Sequence, residues 1–196
     1  MIDLAALKGS KGTARILDFG AVIEGALGGI DQKIDRLGTR FSIDFKSIPL
    51  ETAEDGRRFL ALLQQAKLQG GRVIYPQLGF DVGSPGNTLV NGAHATGTTL
   101  AIKGATPYYT VRVGQALNII VSGRRYLYFS ASQETMNGSG SGVITLTSKM
   151  RKILAGNEVI DFKKPCVEGF IQGDEQAWDL AAERLQSFEF TIKERA

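Results

Sequence analysis

The chain carries one histidine, His94 in "NGAHATG", and one cysteine, Cys166 in "KKPCVEG". A thiol nucleophile needs a base beside it, and imidazole is the side chain best suited to that work near neutral pH. The two lie far apart in sequence, so only the fold can join them; read alone, they are a turn histidine and a small buried thiol. One histidine and one cysteine are too few for a zinc site. A glycosidase needs two carboxylates at a fixed separation, and Asp81, Glu134 and Asp161 are candidates. They are three among 20 acidic residues, so their presence does not single out that chemistry. Asp31 and Asp35 are spaced i,i+4, but the alternating oxygen ligands of a calcium loop are missing around them, and they read as solvated charges.

Two glycine-rich stretches bear on phosphate binding. "GSKGT" (9–13) lacks the spacing of a phosphate loop and leads into no capped helix, so it reads as a flexible turn. "NGSGSG" (137–142) reads as a flexible connection. A stronger pattern is the interleaving of aromatics and arginines in "YYTVRV" and "GRRYLYF". Exposed on a small barrel beside Arg112, Arg124 and Arg125, such rings would stack nucleotides. Buried, they are core, with the arginines at a rim or an interface. The near-neutral balance of 23 basic and 20 acidic residues, net +3, favours the second reading, and no nucleic-acid binding is expected.

The elements that would position these groups belong to a glycine-rich, mainly β chain. Of 196 residues 24 are glycine and 5 proline, with 43% apolar and 22% charged. That composition suits many turns in a folded chain. The single cysteine excludes an internal disulfide and fits assembly in a reducing compartment. No apolar run reaches the length of a signal core or the ~18 residues of a membrane span, so a soluble chain with no membrane insertion is expected.

"TRFSIDF" sets Phe41, Ile43 and Phe45 on one face, and "SFEFTIKE" does the same with Phe188, Phe190 and Ile192. Both read as half-buried strands of one sheet. A helix is predicted over 51–69, with Thr52 as cap, Asp55 completing an approximate capping box, and Phe59, Leu62, Leu63 and Ala66 facing inward. Gly70 and Gly71 stop it. "RVIYPQLGF" is a strand that Pro76 ends or places at an edge. "RILDF" (15–19) is a further strand candidate, 28–39 reads as turn, polar stretch, turn, and "GDEQAWDLAAERLQ" is open between helix and edge segment. From "DVGSPGN" (81–87) onward, short strands recur about every ten residues, the spacing of a small barrel or sandwich. "IIVSGRRYLYF" is a hairpin turning at Ser122 and Gly123. In it Tyr126 and Tyr128 alternate with Leu127 and Phe129, so both faces are bulky. The expected architecture is a β-sandwich with one packed helix (1–82 plus 170–196) carrying an inserted, OB-like small barrel (83–169).

The stretch "NGAHATGTTLAIKG…PYYTVRVGQALNIIVSGRRYLYFSAS…GSGSGVITLTSKMRKILAGNEVIDFKKPCVEG", flanked by "TRFSIDF" and "FEFTIKE", resembles the tail-tip proteins of long, non-contractile-tailed bacteriophages (siphoviruses). More narrowly, it is similar to their distal tail proteins. The shared pattern is a "G…L.I.G" strand, a "VR.GQ.L.I" strand ending at a hairpin, a glycine-rich turn and a "G..I.L" strand. A "K/R-M/L-R-x-I/L" step then leads to a proline. The resemblance covers residues 39–194. It implies a non-enzymatic virion protein, made in the host cytoplasm and placed at the distal end of the tail. There a homohexameric ring would join the tail tube protein to the tip hub or baseplate, with a second β domain projecting outward. It implies no cofactor and no catalytic residue. The inserted position of the second domain departs from members in which it follows the ring domain. Arg124, Arg125, Tyr126 and Tyr128 are the expected subunit or partner contact. Rival readings are a carbohydrate- or receptor-binding module of the tail, a tail-associated hydrolase, and another tail ring or tube protein.

Overall fold

The computed structural model describes residues 1–4, 9–25, 28–34, 36–178 and 185–195. The N-terminal part contributes β1 (Ile2–Asp3), β2 (Gly9–Leu17), β3 (Ala21–Ile23), β4 (Gln32–Ile34), β5 (Arg40–Ser47) and β6 (Leu50–Glu51). A wide helical turn, Thr52–Gly56, leads into α1 (Arg57–Gln69) and then β7 (Gly71–Ile74). The middle of the chain supplies β8 (Gly86–Val90), β9 (Thr99–Ala105), β10 (Thr110–Val111), β11 (Ala116–Val121) and β12 (Arg124–Phe129). After these come β13 (Glu134–Thr135), β14 (Gly142–Thr145), β15 (Val159–Asp161), β16 (Cys166–Ile171), β17 (Leu185–Gln186) and β18 (Glu189–Glu194). The chain is mainly β with one packed helix.

Six strands form the first sheet, in the order β1-β7-β16-β18-β5-β2. The two alternating strands read from sequence are neighbours in it, with Phe190 opposite Phe45 and Ile192 opposite Ile43. Period-two alternation gives this sheet one apolar face and one face of Asp44, Lys46, Glu189, Thr191 and Lys193. On the apolar face lies α1, burying Phe59, Leu63 and Ala66. The Phe59 ring meets Phe188 edge-on at 4.7 Å and Phe190 at 6.2 Å. Gly70, at φ 81, ends the helix where a side chain would be strained, and its amide donates to the Ala66 carbonyl.

The helix starts later than the 51–69 reading. Glu51 is held extended by the pairing of β6 with β17, and residues 52–56 wind a wider turn before α1 begins. Gly56, not Thr52, therefore stands at the helix N-cap, and no side chain caps it. Residues 9–13 are not a turn but the start of β2, hydrogen-bonded along β5 with a register shift between Gly9 and Lys11. The 28–39 segment holds β4, which pairs with β3 as a short hairpin. In 173–186 the chain forms β17, while residues 179–184 lie outside the described ones.

The second sheet is antiparallel, in the order β12-β11-β15-β8-β9-β14. Its outer strands come together at one end: the Ala131 amide donates to the Thr145 carbonyl at 2.7 Å, and Thr147 to Phe129 at 2.9 Å. The sheet thus curls into a partial barrel around Leu100, Ile102, Leu117, Ile119, Tyr128 and Ile144. The β11–β12 hairpin turns at Ser122 (φ 50) and Gly123 (φ 76), the pair of positive angles a two-residue turn of this kind needs. "NGSGSG" is a built turn, since the Asn137 side-chain carbonyl accepts from the amides of Ser139 and Ser141.

β16 belongs to the first sheet, between β7 and β18, although most of it lies in the 83–169 segment. The barrel sheet therefore ends with β15, and the chain re-enters the outer sheet past Pro165, whose carbonyl accepts from Tyr75. Both faces of β12 are used. Tyr126 and Tyr128 fill the barrel, while Leu127 and Phe129 pack into the core of the first sheet. Phe129 there meets Phe41 at 5.0 Å and Tyr75 at 5.1 Å.

Candidate assembly surface

The residues singled out for chemistry are dispersed. His94 sits in a short bridge with Leu154, its Nε2 facing the Ala101 amide at 3.4 Å. Cys166 is buried elsewhere, at the start of β16, where its amide and thiol both face Asn118 Oδ1. Asn118 returns a hydrogen bond from Nδ2 to the Cys166 carbonyl, stitching β11 to β16. Burial pushes the Cys166 thiol up to about 11, so little thiolate exists near neutrality. A thiol reagent should label native protein far more slowly than protein in urea; equal rates would contradict this burial. Asp81 turns back on the Gly83 amide, Glu134 is exposed on β13, and Asp161 pairs with Arg125, so the three carboxylates are each placed differently. Asp31 accepts from the Gly25 amide, and Asp35 lies outside the described residues. Among the described residues no three His, Cys, Asp or Glu side chains gather as a metal site, and no helix is long and apolar enough to cross a membrane.

Of the four expected contact residues, only Arg124 is exposed. Tyr126 and Tyr128 are core, so their rings are not displayed on the hairpin. The reason is the barrel's curl, which turns that face of β12 inward. Arg125 Nη1 binds Asp161 Oδ2 at 2.7 Å. Burial alone would raise the Asp161 carboxyl, but Arg125 and the Lys164 and Lys163 amides outweigh it and hold it below its ordinary value. The sign follows: a depressed folded pKa adds stability that is complete above about pH 4 and fades as pH falls through the lowered value. Urea midpoints measured from pH 7 down to pH 3 should fall less for Asp161→Asn than for the wild type. Arg112 lies 5.5 Å from the centre of the Phe80 ring, and the Tyr109 hydroxyl donates to the Val82 carbonyl.

Sequence reasoning missed the most tightly bound polar group. Glu194, on the apolar face of β18, is buried against the barrel. Its Oε1 accepts from the Leu127 amide and from Arg151 Nη2, each at 2.7 Å, and its Oε2 from the Phe41 amide at 3.1 Å. The Arg151 guanidinium lies about equally close to the Tyr126 and Tyr128 rings, 5.2 and 5.1 Å from their centres. Burial pushes the Glu194 carboxyl up against the pull of Arg151 and the two amides. One carboxylate thus joins β5, β12 and the 150s loop. The available signal was positional: in "FEFTIKE" Glu194 continues the Phe190, Ile192 face.

The surface left open is at the N-terminal edge. β2 is nine residues long and, among the described residues, pairs only with β5, which leaves its other edge without a strand partner among them. Next in the chain, the β3–β4 hairpin exposes Val22 (62%) and Ile23 (51%), and Ile30 in its connection is 96% exposed. A long open strand edge with apolar neighbours is what isolated proteins usually shorten, charge or cover. The signal in sequence was "AVIEGALGGI", apolar residues in a segment with no helical or strand period long enough to bury them. Compared with known protein families and with curated proteins, the chain matches none.

Proposed function

We propose that this protein is a structural, ring-forming component at the tip of a long non-contractile phage tail, where it joins the end of the tail tube to the tip hub. The observation that carries the reading is the β2 edge, which has no strand partner among the described residues, together with exposed Ile23 and Ile30 in the hairpin that follows it in the chain. It stands together with the distal-tail-protein pattern of residues 39–194. In a closed ring, one heterologous contact repeated around the axis covers that edge in every copy. The first sheet would build the ring, six copies being the number the resemblance implies, and the barrel would project from it. The work is geometric and uses no bond-making step. Native mass spectrometry and negative-stain images of the full chain test it: a closed oligomer with an axial hole is expected. A monomer at all concentrations that is also absent from tail tips would refute it.

A second reading, a carbohydrate- or receptor-binding module of the tail, is favoured by Tyr108, whose ring is exposed in the turn before β10. Glycan-array binding by the full chain that Tyr108→Ala abolishes would favour it over the ring.

A further inference from the structure

One row of side chains crosses the outer face of the barrel. Arg125 stands opposite Ile120, Ile120 opposite Val159, Val159 opposite Leu89, and Leu89 opposite Lys103. Register partners share a face, and this one turns away from the barrel core, which takes Ile119, Ile160, Val90 and Ile102 from the adjoining positions. Val159 is 48% exposed, and Leu89 and Ile120 are half-buried. The row thus has an aliphatic centre and a cation at each end. Four strand steps of about 4.8 Å separate those ends, about 19 Å around the sheet.

The row floors a shallow cleft of about 380 Å³. A second cleft, of about 510 Å³, adjoins it, since Arg125 and Asp161 line both. Past Asp161, Lys163 lines the first cleft and Lys164 the second, and Asp161 Oδ1 accepts from both of their amides. The two arginines here are matched: Arg125 by Asp161 at 2.7 Å and Arg72 by Asp3 at 2.6 Å, with buried Glu168 near both. Glu158, beside Val159 in the chain, is turned onto the amides of Ala155 and Gly156. Lys103, Lys163 and Lys164 form no ion pair among the described residues.

We propose that this trough docks an extended segment of a partner protein that has an aliphatic centre and carboxylates on either side of it. The aliphatic side chains cover Leu89, Ile120 and Val159, and the carboxylates reach Lys103 at one end and Lys163 and Lys164 past Asp161. An extended chain advances about 3.3 Å per residue, so about six residues span the row. The aliphatic floor selects a peptide. A phosphorylated or sulfated polymer would meet the lysines and leave the floor bare to water. The row carries no aromatic ring, so a sugar or a base has no stacking platform on it.

The docking does not depend on ring assembly, and the full chain is tested alongside Ile23→Asp/Ile30→Asp so that the two are read separately. The probe is a fluorescent peptide of two glutamates, four aliphatic residues and two further glutamates. A saturable rise in anisotropy is expected, with amide shifts at Lys103, Val159 and Lys163, and binding should weaken as salt is added. Polyphosphate, and a peptide with serines at its centre, should bind about fivefold more weakly or worse. A peptide with lysines in place of the glutamates should not bind. Lys103→Glu/Lys163→Glu should weaken binding by about tenfold or more, since two attractions become repulsions. Val159→Ser keeps every charge and should weaken it about threefold. No saturable binding, or full affinity in the double variant, would overturn the proposal. Polyphosphate or the serine peptide bound as tightly as the probe would assign the trough to anions in general and overturn it as well.

Discussion

Glu194→Ala is expected to lower the unfolding free energy by about 3–5 kcal/mol, the cost typical of breaking a buried ion pair from one side. Three donors lose their acceptor at once: Arg151 and the amides of Leu127 and Phe41. The guanidinium left behind is buried, with Nε and Nη1 already lacking acceptors, so water cannot readily replace the carboxylate. At a urea dependence of about 2 kcal/mol per molar, the midpoint should fall by about 1.5–2.5 M. Glu194→Gln keeps one carbonyl acceptor and should lose less. Arg151→Ala should also be milder than Glu194→Ala, since the two amide bonds to the carboxylate survive. If Glu194→Ala moved the midpoint by less than about 0.5 M, the carboxylate would not be the fastening described.

Ile23→Asp/Ile30→Asp is expected to abolish ring formation while leaving the subunit folded. Both side chains are exposed in the single chain, so stability should change by no more than about 0.5 kcal/mol per site. In the proposed ring each charge would sit in a contact repeated at every interface, and burying it unpaired is prohibitive. Native mass should drop from a closed oligomer to a single chain, with an unchanged urea midpoint for the isolated subunit. A ring that persists in this variant would place the contact elsewhere than the β3–β4 hairpin.

Strands whose burial is one-sided were readable in advance. "TRFSIDF" and "FEFTIKE" pair directly because alternating burial leaves a period-two trace and fixes the register. The end of α1 at Gly70 and the Ser122–Gly123 turn were readable because backbone geometry there restricts residue choice. Only the end of β2 was legible, in the strand candidate at 15–19; its start was hidden because glycines and exposure erase the alternation that marks a strand. The start of α1 was hidden because the pairing of distant residues, Leu50–Glu51 with Leu185–Gln186, decides where the helix begins. β12 posed the hardest case. "RRYLYF" is bulky on both faces, and sequence alone does not say that two cores meet there. The candidate assembly surface was the least legible, because an open edge is defined by what fails to pair with it.

The barrel leaves and rejoins the first sheet through adjacent strands, with Ile74 facing Cys166. Its two tethers are therefore about one inter-strand spacing apart, roughly 5 Å. A foreign module whose own ends lie that close can be grafted between them without lengthening either tether. Such a graft would strip Leu127 and Phe129 from the sheet and leave Glu194 without its guanidinium. The exchange succeeds only if the newcomer supplies an apolar strand and a cation, or if Glu194 is made neutral at the same time.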